Sequence, residues 1–222
     1  MGKHLSLTTS DSHKLGAYRA DPIGKPKGAM VVGQEIFGVN SHIRNVCDRL
    51  ASAGYVAIAP ALFDRFVRDF ESGYSADEVA HARGYLGKID WPKMLLDIQA
   101  GIDDVKLAGP VGVIGFCMGG SIAFLSATRL SGLSAAVGYY GGAIVKFADE
   151  KPKCPVQLHF GESDASIPMS DIEIIKQKRT DCEIFTYPAG HGFYCDERAS
   201  YSPENAKLAW QRTLEFLDKN MK

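Results

Sequence analysis

Apolar segments of four to six residues alternate along the chain with longer segments in which apolar and polar residues recur at helical spacing. The short segments are apolar throughout, as expected for strands that are buried on both faces of a sheet. The pattern therefore predicts an α/β fold with a mostly parallel central sheet and helices on both faces. An opening hairpin is predicted at 5–8 and 15–19, and further strands at 29–33, 55–59, 111–114, 135–140, 156–160 and 183–187.

Several of the longer segments begin with residues that favour a helix start. Ser41 is a candidate N-cap. Ser75 and Glu78 form the Ser-x-x-Glu pattern of a capping box, and Pro92 occupies the first turn of its helix. The predicted helices are 41–53, 75–86, 92–107, 122–129, one after residue 170, and 203–219, whereas the polar and aromatic segment 64–73 has no assignment.

Length and composition indicate an ordinary globular protein. The chain has 222 residues without repeats or low-complexity linkers, so we expect a single domain spanning 1–222. A formal net charge of -1 gives no reason to expect nucleic acid or an anionic membrane as partner. The first ten residues lack an apolar core of signal-peptide length, and no apolar run approaches about 20 residues, the length of a membrane span. The five cysteines show no paired spacing, so reduced thiols in a cytoplasmic protein are expected.

The segment Gly115-Phe-Cys117-Met-Gly119 joins a predicted strand to a predicted helix. Its spacing is that of the G-x-S-x-G nucleophile elbow, with cysteine in place of serine. Glycines are needed because a strand that turns directly into a helix brings backbone segments into close contact. The turn would place the thiol beside backbone N–H groups at a helix N-terminus, where negative charge is stabilised. The alternative is a tight turn around an unreactive buried cysteine.

Three further residues of catalytic type, Glu35, Asp164 and His191, lie shortly after predicted strands. Sites in parallel sheets form beyond the carboxyl ends of the strands, so we expect these residues and Cys117 at one edge of the sheet. The chain order of nucleophile, acid and histidine is that of the α/β-hydrolases. The imidazole would favour the thiolate, and Asp164 would orient the imidazole. Asp164 is alternatively a turn residue bonded to its own backbone, with Glu162 as the orienting carboxylate.

Four specific segments are spread over nearly the whole chain: Gln34-Glu-Ile-Phe-Gly-Val-Asn40, Gly115-Phe-Cys-Met-Gly-Gly120, Ala136-Val-Gly-Tyr-Tyr-Gly141 and Gly190-His-Gly-Phe193. Together they resemble the dienelactone hydrolase (carboxymethylenebutenolidase) family. The resemblance implies an α/β-hydrolase fold, no cofactor, and hydrolysis of a cyclic enol-lactone in aromatic degradation. It also implies no metal, and the histidines and cysteines show none of the spacings of zinc sites.

The resemblance also implies the roles of individual residues. Cys117, Asp164 and His191 would form the catalytic triad, and the backbone N–H groups of Ile36 and Met118 the oxyanion hole. Glu35 would contact the thiol and help to deprotonate it when substrate binds. A thiolate beside a carboxylate is a like-charge pair, so the thiol would rest protonated. The alternative for Glu35 is a solvated carboxylate at a strand end.

Substrate contacts are where this chain departs from the family. The family binds the substrate carboxylate with two arginines, one of them four residues after the catalytic histidine. That position is Cys195 here, with Arg198 close by in sequence. The second arginine lies on the helix after the third strand, where His81 or Arg83 could serve; both are alternatively solvated charges of an amphipathic helix. The candidate substrate contacts are Phe37, His81, Arg83, Tyr85, Cys195 and Arg198.

The sequence therefore predicts a cytoplasmic hydrolase of a lactone or small ester, acting by acylation of Cys117 and deacylation by water. Its partner would be a small-molecule substrate, and the protein a monomer or a weak homo-oligomer. The missing arginine predicts weak binding of anionic lactones, which Cys195→Arg should improve. One alternative is a broad carboxylesterase for small esters. The other is a non-catalytic, redox-sensing hydrolase-fold protein in which Cys117 oxidises rather than acylates.

Overall fold

A computed structural model describes residues 2–222, which form two compact units. The first unit ends at Gly112, and the second is Val113–Lys222. Strands and helices alternate in both, and most neighbouring strands are parallel, so the predicted α/β class is confirmed. The expectation of one domain over 1–222 stays a prediction. No helix among the described residues is long and apolar enough to cross a membrane.

The first unit contains the predicted hairpin and the elements that follow it. These elements are β1 (Lys3–Thr8), β2 (Lys14–Ala20), β3 (Gly28–Gly33), α1 (Ser41–Ser52), β4 (Tyr55–Pro60), α2 (Ala76–Arg83) and α3 (Trp91–Val105), with 3-10 turns at Leu62–Arg65, Leu86–Lys88 and Lys106–Ala108. The strand order is β1-β2-β4-β3; β2 is antiparallel to both of its neighbours, and β3 is parallel to β4. Every residue of β3 and β4 is buried, which explains their uninterrupted apolar sequences.

The helix caps of the first unit follow the sequence signals with one exception. The capping box of Ser75 and Glu78 is present in full. The N-cap of α1 is Asn40, because its side chain accepts a hydrogen bond from the backbone N–H of Ile43 at 3.3 Å. Ser41 is the first helical residue, so its prediction as N-cap is wrong by one position.

The second unit carries the remaining elements, and β5 begins just before its boundary. They are β5 (Val111–Phe116), α4 (Met118–Arg129), β6 (Leu133–Tyr139), α5 (Ile144–Phe147), β7 (Val156–Gly161), α6 (Met169–Lys178), β8 (Glu183–Tyr187) and α7 (Pro203–Asn220). The strand order is β5-β6-β7-β8, and the pairs β6–β7 and β7–β8 are parallel. Because parallel strands end at the same edge, the segments that follow β6, β7 and β8 leave the sheet side by side.

Candidate active site

The turn between β5 and α4 has the strained geometry that the sequence predicts. Cys117 has φ 56° and ψ −116°, a backbone conformation that residues with a side chain rarely adopt. Gly115 cannot be replaced, since a Cβ there would lie 1.9 Å from the carbonyl oxygen of Gly119. The backbone N–H of Cys117 donates to the carbonyl of Tyr139 at 3.0 Å, which ties the turn to the end of β6. The thiol is therefore held partly exposed at the start of a buried helix.

Asp164 and His191 are brought together from the segments after β7 and β8. His191 Nδ1 lies 2.7 Å from Asp164 Oδ2. The other carboxylate oxygen, Oδ1, accepts from the backbone N–H of Ser166 at 2.8 Å, so Asp164 is a turn residue as well as a partner of the histidine. The alternative carboxylate, Glu162, accepts instead from the hydroxyl of Thr186 at 2.8 Å. Because the Asp164 carboxylate can only accept a hydrogen bond, Nδ1 of His191 carries a proton, and Nε2 of His191 is left for another partner.

That other partner is Cys117, whose side chain is hydrogen-bonded to His191. Burial alone would lower the pKa of His191. The negative charge at Cys117 and the hydrogen bonds with Asp164 and Cys117 outweigh it and raise the pKa to about 10. The imidazolium form of His191 is therefore favoured. The three residues form a continuous chain of carboxylate, imidazole and thiol.

The segment that carries His191 is itself held in place. The hydroxyl of Ser200 donates to the carbonyl of His191 at 2.7 Å, and the ring of Tyr140 lies 5.0 Å from the imidazole. Tyr140 is fully buried and has φ 38°. No sequence signal selected this residue as a candidate, because tyrosine is not a usual nucleophile or base. It directly follows β6, so the rule that selected the other site residues would have found it.

The two candidate substrate contacts after His191 have different surroundings. Cys195 has no exposed surface, and its backbone N–H donates to the carbonyl of Gly192 at 2.9 Å. Arg198 is partly exposed, and its guanidinium lies against Gly192: a Cβ on that glycine would be 2.6 Å from Nη1. Gly192 has φ 75°, a second reason for glycine here. A cation therefore lies beside the residue that follows His191.

In the first unit, Glu35 is completely buried, so the alternative of a solvated carboxylate is wrong. The hydroxyl of Tyr74 donates to Glu35 Oε2 at 2.9 Å. Gln34 holds the adjacent backbone: its amide donates to the carbonyl of Glu35 at 3.2 Å and accepts from the N–H of Leu62 at 3.0 Å. No sequence signal identified Tyr74, because it is 39 residues from the carboxylate that it contacts.

The two residues of the implied oxyanion hole, Ile36 and Met118, are both buried. Ile36 follows Glu35 and is 7% exposed. Met118 is the first residue of α4, so its backbone N–H belongs to the first turn, where N–H groups have no partner within the helix.

Phe37, a candidate substrate contact, is buried against the ring of Tyr74, with ring centroids 4.7 Å apart.

The remaining candidates in the first unit lie in or near α2. His81 stacks on Phe70 with centroids 5.8 Å apart, and its Nε2 lies 3.1 Å from the hydroxyl of Tyr85. Tyr85 also packs edge-on against Phe70 at 5.1 Å. Arg83 is exposed. His81 and Tyr85 therefore belong to an aromatic cluster, and the position of Arg83 is that of a solvated charge.

The described residues contain further cysteines and potential metal ligands outside the chain of Asp164, His191 and Cys117. None of the five cysteines forms a disulfide there. Neither unit by itself, over the described part of the chain, brings three potential metal ligands together. Burial raises the pKa of Cys154 to about 11 and that of Cys182 to about 12. These two thiols therefore lack the character of a nucleophile, in contrast to the hydrogen-bonded Cys117.

Comparison with known proteins gives consistent matches over the full length. Residues 15–221 match the model of the dienelactone hydrolase family. The chain is 38% identical to a Synechocystis protein named "Putative carboxymethylenebutenolidase", over 94% of this chain and 93% of the relative. It is 30% identical to the carboxymethylenebutenolidase of Pseudomonas putida, over 96% and 94%. A crystal structure from Klebsiella pneumoniae, named "Putative Dienelactone Hydrolase", superposes with a TM-score of 0.87 at 31% identity and covers 99% of both chains. The predicted α/β-hydrolase fold is thereby confirmed.

Proposed function

Because the chain belongs to the dienelactone hydrolase family, and so to the carboxylic ester hydrolases, we propose that it cleaves a lactone or small ester with a Cys117-His191-Asp164 triad. One observation carries the mechanism: the hydrogen-bonded chain from Asp164 through His191 to Cys117. A redox-sensing thiol would need the helix N-terminus and a nearby base. It would not need a buried carboxylate that fixes the imidazole tautomer, which is a requirement of proton transfer.

The proposed reaction passes through a thioester. The proton shared by Cys117 and His191 lies on Nε2 of the imidazole, and the thiolate of Cys117 attacks the carbonyl carbon as the carbonyl electrons move to oxygen. The N–H of Met118, at the positive end of α4, is one proposed donor to this oxyanion, and that of Ile36 is the other by resemblance. Collapse of the intermediate expels the alkoxide, which takes the proton from His191. A water molecule deprotonated by His191 then hydrolyses the thioester and restores the thiol.

Glu35 is proposed, by resemblance to the family, to assist deprotonation of Cys117. Its burial and the hydrogen bond from Tyr74 are consistent with a carboxylate held in one defined position. Glu35→Gln is isosteric and should preserve folding while it lowers turnover. It should also slow alkylation of Cys117 in the presence of a substrate analogue. Unchanged turnover together with unchanged thiol reactivity would reduce Glu35 to a structural residue.

The substrate class proposed is an ester or lactone that carries a carboxylate, with Arg198 as its charge partner. The supporting observation is that the Arg198 guanidinium packs on Gly192, next to the catalytic base. A carboxylate buried without a charge partner is costly, and a guanidinium matches its geometry. A broad carboxylesterase for neutral small esters remains the second candidate, because Cys195 replaces the arginine found in the family. The cytoplasmic location and a monomeric or weakly oligomeric state remain predictions.

The decisive experiment compares Cys117→Ala with Cys182→Ala in hydrolysis of a chromogenic ester and of a dienelactone. Cys182 is a matched control, since it is a half-buried thiol that precedes β8, away from the triad segments. We expect Cys117→Ala to abolish turnover and Cys182→Ala to leave it unchanged. Cys117→Ser should also be poor, because the site is arranged for a thiol. Turnover near the wild-type level in Cys117→Ala would end the assignment.

The redox-sensor alternative makes a different prediction in the same assay. Wild-type protein would show no Cys117-dependent hydrolysis of either substrate. Treatment with hydrogen peroxide would instead convert Cys117 to a sulfenic acid that a thiol reductant reverses.

A further inference from the structure

A buried hydrogen-bond network surrounds His159 in the middle of β7. We call it the His159 network; its members are Tyr139, Gln157, His159, Tyr187 and Thr213. None of the five has more than 1% of its surface exposed. Together they come from the three parallel strands β6, β7 and β8 and from α7.

The imidazole contacts three of the other members directly. His159 Nδ1 lies 2.7 Å from the hydroxyl of Tyr187. Nε2 lies 2.9 Å from Gln157 Oε1 and 3.2 Å from Thr213 Oγ1. The Thr213 hydroxyl continues the chain to the hydroxyl of Tyr139 at 2.7 Å. The network therefore joins side chains of β6 and β8, which do not neighbour each other, through His159 of β7 and Thr213 of α7.

The direction of these hydrogen bonds follows from Gln157. Its amide nitrogen donates to Glu183 Oε2 at 3.1 Å, so its oxygen faces His159 and can only accept. His159 Nε2 must then carry the proton, and Nδ1 accepts from the hydroxyl of Tyr187. Burial, with a smaller effect from the charge of Arg212, lowers the pKa of His159 to about 3. The imidazole is thus neutral and has one defined tautomer.

The backbone of the same residues holds the triad segments. The carbonyl of Tyr139 accepts from the N–H of Cys117 at 3.0 Å. The carbonyl of Tyr187 accepts from Glu162 at 2.8 Å, in the segment that leads to Asp164, and from Ala189 at 2.7 Å, in the segment that leads to His191. Tyr139 and Tyr187 are the last residues of β6 and β8. Side chains that fix these two residues therefore also fix the points from which the catalytic segments depart.

We propose that His159 is a positioning residue for the reaction, which sets the spacing of Tyr139 and Tyr187 and thereby the alignment of the triad. This inference rests on the proposed function. Apolar packing would fill the same space, since the ring of His159 already stacks on Tyr139 at 4.4 Å. Hydrogen bonds add a fixed direction and distance, which packing alone does not. A displacement of about 1 Å at a catalytic group can cost on the order of a hundredfold in rate.

The test compares variants that remove the hydrogen bond between His159 and Tyr187 with a variant that keeps an acceptor for it. His159→Leu removes every hydrogen bond of the imidazole and should lower kcat by about 10- to 100-fold, with KM nearly unchanged. Alkylation of Cys117 by iodoacetamide in the substrate-free enzyme should slow in parallel. His159→Asn keeps an acceptor near the position of Nδ1 and should recover most of both rates. Tyr187→Phe should reproduce most of the loss and add little to His159→Leu, since both delete the same bond.

Val156→Ala is the matched control, because it truncates a buried residue at the start of β7, whereas the segment that leads to Asp164 follows the end of this strand. It should lower the melting temperature but leave kcat and alkylation unchanged when rates are normalised to folded protein. The proposal is overturned if folded His159→Leu has wild-type kcat and alkylation rates and differs only in melting temperature. If His159→Leu does not fold, Tyr187→Phe and His159→Asn decide in its place. Tyr187→Phe must then lower both kcat and the alkylation rate, and both rates must be higher in His159→Asn than in Tyr187→Phe. Any other result overturns the proposal.

Failure of the proposed function can be recognised separately. It appears as hydrolysis that persists in Cys117→Ala, whereas iodoacetamide alkylation of the substrate-free enzyme requires no turnover of a substrate. A slower alkylation in His159→Leu would therefore support the positioning role even if the substrate assignment were wrong. An unchanged alkylation rate would overturn it even if hydrolysis by Cys117 were established.

Discussion

Each unit buries an aspartate against a basic side chain, but the two pairs differ in what else the basic group touches. In the first unit, Arg65 Nε and Nη2 each lie 2.8 Å from one oxygen of Asp97, whose side chain has no exposed surface. The remaining nitrogen of Arg65 bonds to Asp11 at 2.9 Å. In the second unit, His191 bonds to Asp164 through one nitrogen and to Cys117 through the other.

The difference distinguishes a pair that can only stabilise the fold from a pair that can also transfer a proton. A guanidinium stays charged at any physiological pH, so Arg65 between two carboxylates can hold segments together but cannot transfer a proton. An imidazole can both gain and lose a proton, and the second nitrogen of His191 faces a thiol. Within the first pair, burial raises the pKa of Asp97 to about 6 in spite of the opposing effect of Arg65. What distinguishes Asp164 from Asp97 in the proposed function is the kind of partner that lies beyond its basic neighbour.

The largest expected effect is on catalysis in the second pair. His191→Ala should lower kcat by roughly 10⁴-fold, as loss of a member of a catalytic unit does. Asp164→Asn should lower kcat by a smaller but still large factor, because the imidazole of His191 loses its fixed tautomer. The assay is hydrolysis of the ester cleaved by wild type, with Asp97→Asn as the control that leaves kcat unchanged. A silent Asp164→Asn would return Asp164 to the role of a turn residue.

The next largest effect is on stability in the first pair. Asp97→Ala leaves the guanidinium of Arg65 mostly buried with Asp11 as its remaining partner, and should lower the free energy of unfolding by about 3–5 kcal/mol. Urea denaturation followed by circular dichroism measures this. The double variant Arg65→Met with Asp97→Leu should recover most of the loss, since it removes both charges. If the single variant lowered kcat of the folded enzyme instead, the contrast between the two pairs would be wrong.

A smaller effect is expected on substrate selection next to His191. Arg198→Gln should raise KM for an anionic ester by about 10- to 100-fold, which corresponds to one lost charge-assisted hydrogen bond. KM for a neutral ester of similar size should change little, and this difference is the readout. The burial of Cys195 reverses one sequence-based expectation: Cys195→Arg would bury a charge and should destabilise the protein rather than improve binding. Equal changes for both esters would remove Arg198 from substrate recognition.

The smallest expected effect is on the pH dependence of stability. The pKa of His191 rises from its ordinary value of 6.5 to about 10 in the folded protein. A group with a raised pKa stabilises the fold fully below its unfolded pKa and loses that contribution as pH rises through the folded pKa. The stability difference between wild type and His191→Gln should therefore shrink between about pH 6.5 and pH 10. A difference that is independent of pH over this range would contradict the contact between His191 and Cys117.

Local sequence determined the elements and the residues of the proposed triad. Continuous apolar runs identified β3 and β4, the Ser75 and Glu78 pattern identified the start of α2, and glycine spacing identified the strained turn at Cys117. Each of these signals acts between residues a few positions apart, where backbone geometry and side-chain periodicity suffice. The rule that sites follow parallel strands then selected Asp164 and His191 as well.

The tertiary structure decided which of the chemically similar residues has which role. Nothing local pairs Asp97 with Arg65, marks Cys195 as buried, or pairs Tyr74 with Glu35. The same holds for His159, whose partners Tyr187 and Thr213 are 28 and 54 residues away along the chain. These roles depend on which distant segments the packing brings into hydrogen-bond range, and a hydrogen bond requires placement to within a few tenths of an ångström. Sequence pattern specifies the face and the end of an element, but packing supplies that placement.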